Sequence, residues 1–216
     1  MSARDNILAR VRKGLGLPGE GPGAEREAAR AYITAQPRGP RPATTWNDGV
    51  ARFCDRSEKL GSTVDRVAGI ADVPQAVARY LQSQGLPTSA VIWPALQDMP
   101  WAGAGLHVQA RAAQGSDLVG ITGAFCAVAE TGTLMLLSGE DTPAAASLLP
   151  ETHIALVDVT RVVPGMEEAW ALMKAERQGP PRAVNFVSGP SRTADIEQTI
   201  VIGAHGPYRV HVVCYG

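Results

Sequence analysis

Residues 117–141, DLVGITGAFCAVAETGTLMLLSGED, are the most apolar part of the chain, and they break where a charged group is hardest to accommodate. The pattern reads as strand segments interrupted at Gly123 and again at 130–132, where a turn brings two strands together. Setting Glu130 between buried strands costs solvation unless the carboxylate is paired or lies at a strand end facing a cleft. The fold must therefore hold several buried strands while letting one polar turn out of the core. Composition allows this. Of 216 residues, 45% are hydrophobic and 19% charged, which supports a packed core and excludes global disorder.

Helices and strands alternate around this stretch. Thr45 and Asp48 cap a helix carrying Val50, Phe53, Cys54 and Leu60 on one side and ending at Gly61. A strand over 62–67 follows. Asp72, with Pro74 in the first turn and Gln75 as box partner, opens a helix running to Gly85. Residues 89–93 form a continuous apolar run of the kind a buried parallel strand shows. After the central stretch come a short helix at 144–149, a strand at 154–159 and a helix at 166–177 with Met166, Trp170 and Met173 on one face. Strands at 183–187 and 209–215 close the chain. This alternation predicts an α/β layered domain over 45–216 with a largely parallel sheet.

Residues 1–44 read as a helical arm. Ser2 and Asp5 make a capping-box pattern, and Ile7, Leu8, Val11 and Leu15 recur at helical spacing. Gly and Pro crowd 14–23 and 37–42, with a helix over 24–33 between them. Gly14, Gly16 and Gly19 match GxGxxG by letter. A helix precedes them where a dinucleotide site needs a strand, and Pro18 sits inside, so no such site is expected.

The charges nearly cancel, 20 basic against 21 acidic, and aromatic residues are 5%. Neither a polyanion footprint nor a base-stacking surface is present, so nucleic acid is not an expected partner. Cys54, Cys126 and Cys214 are too far apart for a zinc ribbon, a CxxC pair or an iron–sulfur cradle, and no two histidines have metal-ligand spacing. No metal is expected. An odd, sparse set of cysteines suits a reducing cytoplasm. No apolar run reaches the roughly 18 residues of a membrane span, and the N-terminus has no signal-peptide centre. A soluble cytoplasmic protein is expected.

Three segments carry candidate chemistry. In the first, Glu130, Thr131, Gly132 and Thr133, a glycine flanked by hydroxyls supplies donors suited to an anion or carbonyl. The same residues also make an ordinary hairpin turn. Open α/β sheets place ligands at the carboxyl ends of their strands, and the turn is expected there. The second follows the strand at 183–187: Ser188, Gly189, Pro190, Ser191, Arg192, Thr193, Asp195 and Glu197. Ser191 and Thr193 are placed to cap a short helix whose free amides, with the Arg192 fork, would form an oxyanion pocket. Asp195 and Glu197 would orient Arg192 or bind a second polar group. In the third, His205 is pinned before Gly206 and Pro207, as an acid, a base or a structural hydrogen-bond donor. His107, His153 and His211 read as ordinary strand residues. A Ser191–His205–Asp195 triad lacks the nucleophile-elbow context.

In this order, GITGAFCAVAETGTLMLL, SLLPETHIALV, FVSGPSRTADIE and GAHGPYRVHVV resemble the lactate utilisation (LUD) domain family, and within it the lactate utilisation protein C group, over 120–213. The resemblance implies a Rossmann-like three-layer sandwich related to sugar-phosphate isomerases and coenzyme A transferases. It also implies work with two iron–sulfur proteins in oxidising L-lactate to pyruvate. Some relatives carry ferredoxin-like cysteine motifs that this chain lacks. Clusters are therefore expected on the partner subunits, with no cofactor here and no evident flavin or nicotinamide site. Three functions follow as expectations. One is an accessory subunit binding a small carboxylate or phosphate, with Arg192 pairing the anion and Glu130 as base or orienter. Another is a free-standing transferase or isomerase, in which Glu130 is the counterpart of a coenzyme A transferase's nucleophilic glutamate. The third is a structural assembly factor. Fold kinship alone does not choose among them.

Overall fold

The computed structural model describes residues 2–16, 23–35, 37, 39–40, 46–193 and 201–216. It divides into two compact units, Met1–Ala43 and Thr44–Gly216. In the first, α1 (Ala3–Gly14) starts at the capping box. The Ser2 hydroxyl accepts the Asp5 amide at 3.2 Å, and the Asp5 carboxylate accepts the Ser2 amide at 2.8 Å. The Ser2 hydroxyl also donates to that carboxylate at 2.8 Å, and this bond, with the one from the Ser2 amide, holds the Asp5 carboxyl below its usual range. The second helix, α2, spans Gly23–Ala35.

The second unit runs α3 (Gly49–Lys59), β1 (Thr63–Val67), α4 (Val73–Ser83), β2 (Ser89–Ile92), β3 (His107–Ala110) and β4 (Val119–Gly123). There follow β5 (Cys126–Val128), β6 (Thr133–Leu137), β7 (Thr152–Asp158), β8 (Val162–Val163) and α5 (Met166–Glu176). Last come β9 (Val184–Val187), β10 (Arg192–Thr193), β11 (Val201–Ile202) and β12 (Arg209–Tyr215). Six strands form a sheet in the order β1-β12-β7-β4-β2-β3, every neighbouring pair parallel. A smaller sheet, β8-β5-β6-β9, contains the β5–β6 hairpin, with β9 antiparallel to β6 and β8 parallel to β5.

The α/β class and the mostly parallel central sheet agree with the sequence reading, as does the N-terminal helix. The small sheet is an addition that periodicity did not indicate. Its apolar strands alternate between two cores. Ala127, Ala129, Leu134 and Leu136 face the large sheet, packing with Val91, Ala155, Val157 and Val212. Cys126, Val128, Met135 and Leu137 face the other way and pack with Ala169 and Met173 of α5. Both faces are buried, so the strands show no polar alternation. On its far side the large sheet is covered by α4, where Val77, Tyr80 and Leu81 meet Ile92, Ile121, Ile154 and Val213.

Two local expectations change. Asp72 does stand before α4 with Pro74 in its first turn, but its side chain makes no capping bond. A 3₁₀ turn over Ile70–Asp72 puts the Asp72 backbone in the helical region, and Gln75 donates to the Gly103 carbonyl instead. On α5, Ala169 rather than Trp170 is buried. Trp170 is 43% exposed and meets Phe186 edge-on at 5.5 Å between ring centroids. Thr45 lies outside the described residues, and Asp48 caps α3 through the Val50 and Ala51 amides at 2.9 and 3.0 Å.

Candidate functional site

Two of the polar segments meet α3, and the third joins them through the second. Phe53 and Ser57, one turn apart, are the buried residues of α3. A serine on a buried stripe needs a partner, and the Ser57 hydroxyl donates to the Gly132 carbonyl at 3.2 Å. The 130–133 turn is pressed against this helix. Gly132 has φ +69°, and a Cβ there would fall 2.6 Å from the Ser57 amide nitrogen and 2.7 Å from the Arg56 carbonyl carbon. Only glycine fits both that backbone and that gap.

From the turn a chain of hydroxyls leads to the second segment. Thr131 donates to Thr133 at 2.8 Å, and Thr133 and Ser188 share a hydrogen bond at 2.7 Å. This contact follows from β6 pairing with β9, which sets Leu134 opposite Val187 and so brings the residues just outside the ladder together. Hydroxyl protons rotate, so such a chain can offer a ligand either a donor or an acceptor. Gly189 then lies against the Leu60 carbonyl, and Arg192 donates to the same oxygen through Nη2 at 2.6 Å. A guanidinium at the last carbonyls of a helix is well placed against the helix dipole.

The short helix expected after Ser191 and Thr193 falls on residues outside those described. Arg192 and Thr193 pair as β10 with Ile202 and Val201 of β11. The Ser191 amide donates to the Pro207 carbonyl at 2.8 Å, and the Ser191 carbonyl accepts the Gly203 amide at 2.9 Å. These bonds bring the third segment beside the second: a Cβ on Gly206 would lie 3.4 Å from that of Ser191. His205 is exposed, as is Arg192. Asp195 and Glu197 lie outside the described residues.

The location also differs from expectation. Leu60 leads through Gly61 into β1, and Pro207 leads into β12, two parallel neighbours. The 188–192 loop therefore sits at the amino ends of the parallel strands, not the carboxyl ends. The small sheet's hairpin reversal carries the polar residues to that edge.

On the Glu130 side of the turn is a recess of about 240 Å³ lined by Trp46, Asn47, Gly49, Val162, Val163 and Pro164. The Glu130 amide donates to the Pro164 carbonyl at 3.0 Å, which makes the turn a neighbour of this recess. Glu130 itself is half-buried, and its carboxylate has no partner among the described residues. Arg52 stacks over the Trp46 ring at 5.0 Å, with a buried Nε that has no hydrogen-bond partner. Arg52, Trp46 and Ser57 are absent from the residues picked by sequence. The available signal was the spacing of Arg52 and Arg56 beside the Phe53–Ser57 stripe of α3.

The remaining histidines are not part of this cluster. His153 bonds Thr122 at 2.8 Å, and burial pushes its pKa down to about 4. His211 bonds Thr63 at 2.8 Å and stacks on Tyr80 with ring centroids 3.8 Å apart. Burial likewise lowers its pKa to about 4, against the opposing pull of Asp65 and Thr63. His107 is exposed on β3. Among the described residues no group of three or more His, Cys, Asp or Glu is placed to hold a metal ion, and no helix is long and apolar enough to cross a membrane.

The fold defines an α/β protein whose polar segments gather on a secondary hairpin sheet. Residues 106–215 match the LUD domain model, and the chain belongs to that family. It is 39% identical over 123 residues to lactate utilization protein C of Bacillus licheniformis, covering 54% of this chain and 50% of that protein. It is 40% identical over 94 residues to lactate utilization protein C of Bacillus subtilis, covering 42% and 39% respectively. The chain thus spans half or less of the length of these curated relatives. A DUF162 family protein from Deinococcus radiodurans, solved by crystallography, superposes with a TM-score of 0.62 at 27% identity, covering 81% of this chain and 100% of that one.

Proposed function

We propose that this chain serves in lactate utilisation as an accessory, ligand-binding subunit that works with two separate iron–sulfur proteins. The names of its relatives support the process. The ligand is a small carboxylate or phosphate held at the 130–133 turn. The observation that carries this is the convergence on α3 of two polar segments far apart in sequence, joined through Thr131, Thr133 and Ser188, with the third attached to the second through Ser191 and Pro207.

In this reading Arg192 supplies the positive charge on the loop side of the turn. One of its N–H groups goes to the Leu60 carbonyl, and a guanidinium has five. Arg52 is the corresponding cation on the recess side. Glu130 acts as base or orienter, and His205 stands nearby on the third segment. Electron transfer is left to clusters on the partner subunits.

The test is lactate-dependent reduction of an artificial acceptor by the two purified iron–sulfur proteins, with and without this chain. The wild type should be required, and Arg192→Ala should fail while still co-purifying with its partners. If variant and wild type restore activity equally, the chain is a scaffold and the anion reading is wrong. Titration calorimetry with lactate, pyruvate and inorganic phosphate separates the two cations. Loss of one charge-assisted bond costs about 1.5–3 kcal/mol, so either Arg192→Ala or Arg52→Ala should weaken binding by roughly tenfold or more.

A further inference from the structure

One amphipathic helix of the chain leaves its apolar stripe uncovered. On α1, Ile7, Leu8, Val11 and Leu15 follow one another at helical spacing, and all four are between 38% and 68% exposed. The helix has no buried residue. The same spacing on α4 gives Val73, Val77, Tyr80 and Leu81, and there all four are buried against the large sheet. The start of α1 does not depend on such cover. Its capping box pairs the Ser2 and Asp5 amides, and at the far end the Leu15 amide returns to the Val11 carbonyl at 3.0 Å.

Positive charge is concentrated on the same helix. The whole chain has 20 basic residues against 21 acidic ones, but residues 2–15 hold Arg4, Arg10, Arg12 and Lys13 against Asp5 alone. The Asp5 carboxylate is already engaged by the Ser2 amide and hydroxyl. Arg10 follows Ile7 by three positions and Arg12 follows Leu8 by four, so the two flank the stripe on opposite sides. Arg4 lies in line with it, one turn before Ile7 and Leu8. The second helix of this unit provides a contrast. It also exposes apolar side chains, Tyr32 and Ile33, but acidic and basic residues balance along its sequence.

An apolar stripe rimmed by cations fits a surface that is anionic at its face and apolar beneath, as a bilayer of acidic lipids is. A protein groove deep enough to take Ile7, Leu8 and Val11 would also close over Arg4 and strip its charge of water. At a flat interface the Arg4 stem can lie along the stripe while its guanidinium reaches the phosphates. We propose that α1 is a surface anchor for anionic membranes. It lies in the plane of the headgroups, with Ile7, Leu8, Val11 and Leu15 turned toward the acyl chains and Arg4, Arg10 and Arg12 paired with lipid phosphates. Arginine suits this role because its planar fork takes two phosphate oxygens at once. At 12 residues the helix lies on a bilayer and does not cross it. The anchor stands apart from the ligand reading.

The experiment floats the full chain on density gradients with vesicles of phosphatidylcholine alone, or of phosphatidylcholine mixed with phosphatidylglycerol. The chain should float only with the anionic vesicles, and less as salt rises, because exposed charges are screened. Val11→Asp keeps every cation and should lower the partition coefficient by about tenfold or more, since it sets a carboxylate in the apolar layer. Arg10→Glu with Arg12→Glu keeps the stripe and should weaken binding to the anionic vesicles by a similar factor. These positions are exposed, so the urea midpoint should stay where it is. Flotation with neither vesicle overturns the anchor and leaves a protein groove as the partner of the stripe. Equal flotation with neutral vesicles, or flotation that both variants retain, overturns it as well. So does a wild-type dimer that Val11→Asp turns into a monomer, read by light scattering, because a second copy then covers the stripe. A urea midpoint lowered by Val11→Asp would place the stripe against the chain's own main unit and end the idea.

Discussion

The six-stranded and the four-stranded sheet of the main unit are built from similar residues and do different work. In the large sheet every neighbouring pair is parallel, and its central strands β7 and β12 run seven residues each. Its buried histidines each bond through one ring nitrogen, His153 to Thr122 and His211 to Thr63, and leave the other, His153 Nδ1 and His211 Nε2, buried without a partner among the described residues. The small sheet has strands of two to five residues, and its connections carry the hydroxyls, Glu130 and Arg192. Parallel strands need long crossovers and are covered on both faces. An antiparallel hairpin can turn tightly and deliver a polar tip to a chosen edge. The large sheet is thus a platform, and the small one a carrier for the candidate site.

If the platform is as tightly covered as this, the severest effect should come from Gly120 in β4. A Cβ there would fall 2.0 Å from the Ala146 carbonyl oxygen and 2.8 Å from Pro150. Backbone blocks the space, so Gly120→Ala should cost about 3 kcal/mol or more, read as a drop in urea midpoint. Next come paired truncations across the small sheet. Leu136→Ala opens the side facing the platform and Met135→Ala the side facing α5, both fully buried. Each should cost about 2–5 kcal/mol. A negligible effect at Met135 would break the picture of a sheet buried on both faces.

Acid should separate the two regions by sign. The folded pKa values of His153 and His211, about 4, lie below the unfolded value near 6.5. Between those limits the unfolded chain binds more protons, so stability rises with pH and is lost as pH falls from about 6.5 toward 4. Each histidine should account for about 1–2 kcal/mol between pH 6.5 and 5. Chemical denaturation across that range checks this, with His153→Gln flattening part of the slope. An unchanged slope would mean that His153 is protonated and solvated in the folded state.

The smallest effects on stability belong to the carrier's polar tip. Thr133→Val removes the link between Thr131 and Ser188 and should cost about 1 kcal/mol. His205→Ala, at an exposed position, should stay within about 0.5 kcal/mol. A loss of lactate-linked activity in either variant at unchanged fold would place function on the small sheet's side of the comparison.

Much of the secondary structure was legible in the sequence. The run at 209–215 coincides with β12, the Ser2–Asp5 box caps α1, and the break at 130–132 is the β5–β6 turn. The site was legible only as residue types. The hydroxyls and Arg192 stood out by their density after an apolar strand. Their actual partners, Ser57, Leu60 and Pro207, are set by contacts between distant segments. Arg192 and Thr193 pair with Ile202 and Val201, partners that only a later strand supplies.

By itself the sequence determined the main helices and the longer strands, which segments must be buried, and that a polar turn interrupts the most apolar stretch, because those features follow from hydrophobic period and turn chemistry over a few residues. Only the tertiary structure decided that 126–128, 133–137 and 184–187 leave the parallel sheet for one of their own, and that Ser57 of α3 and Leu60 at its end meet the polar turn and loop. An apolar strand buried on both faces carries no local mark of the layer it joins. That choice is made by side-chain packing and backbone pairing between residues far apart in the chain.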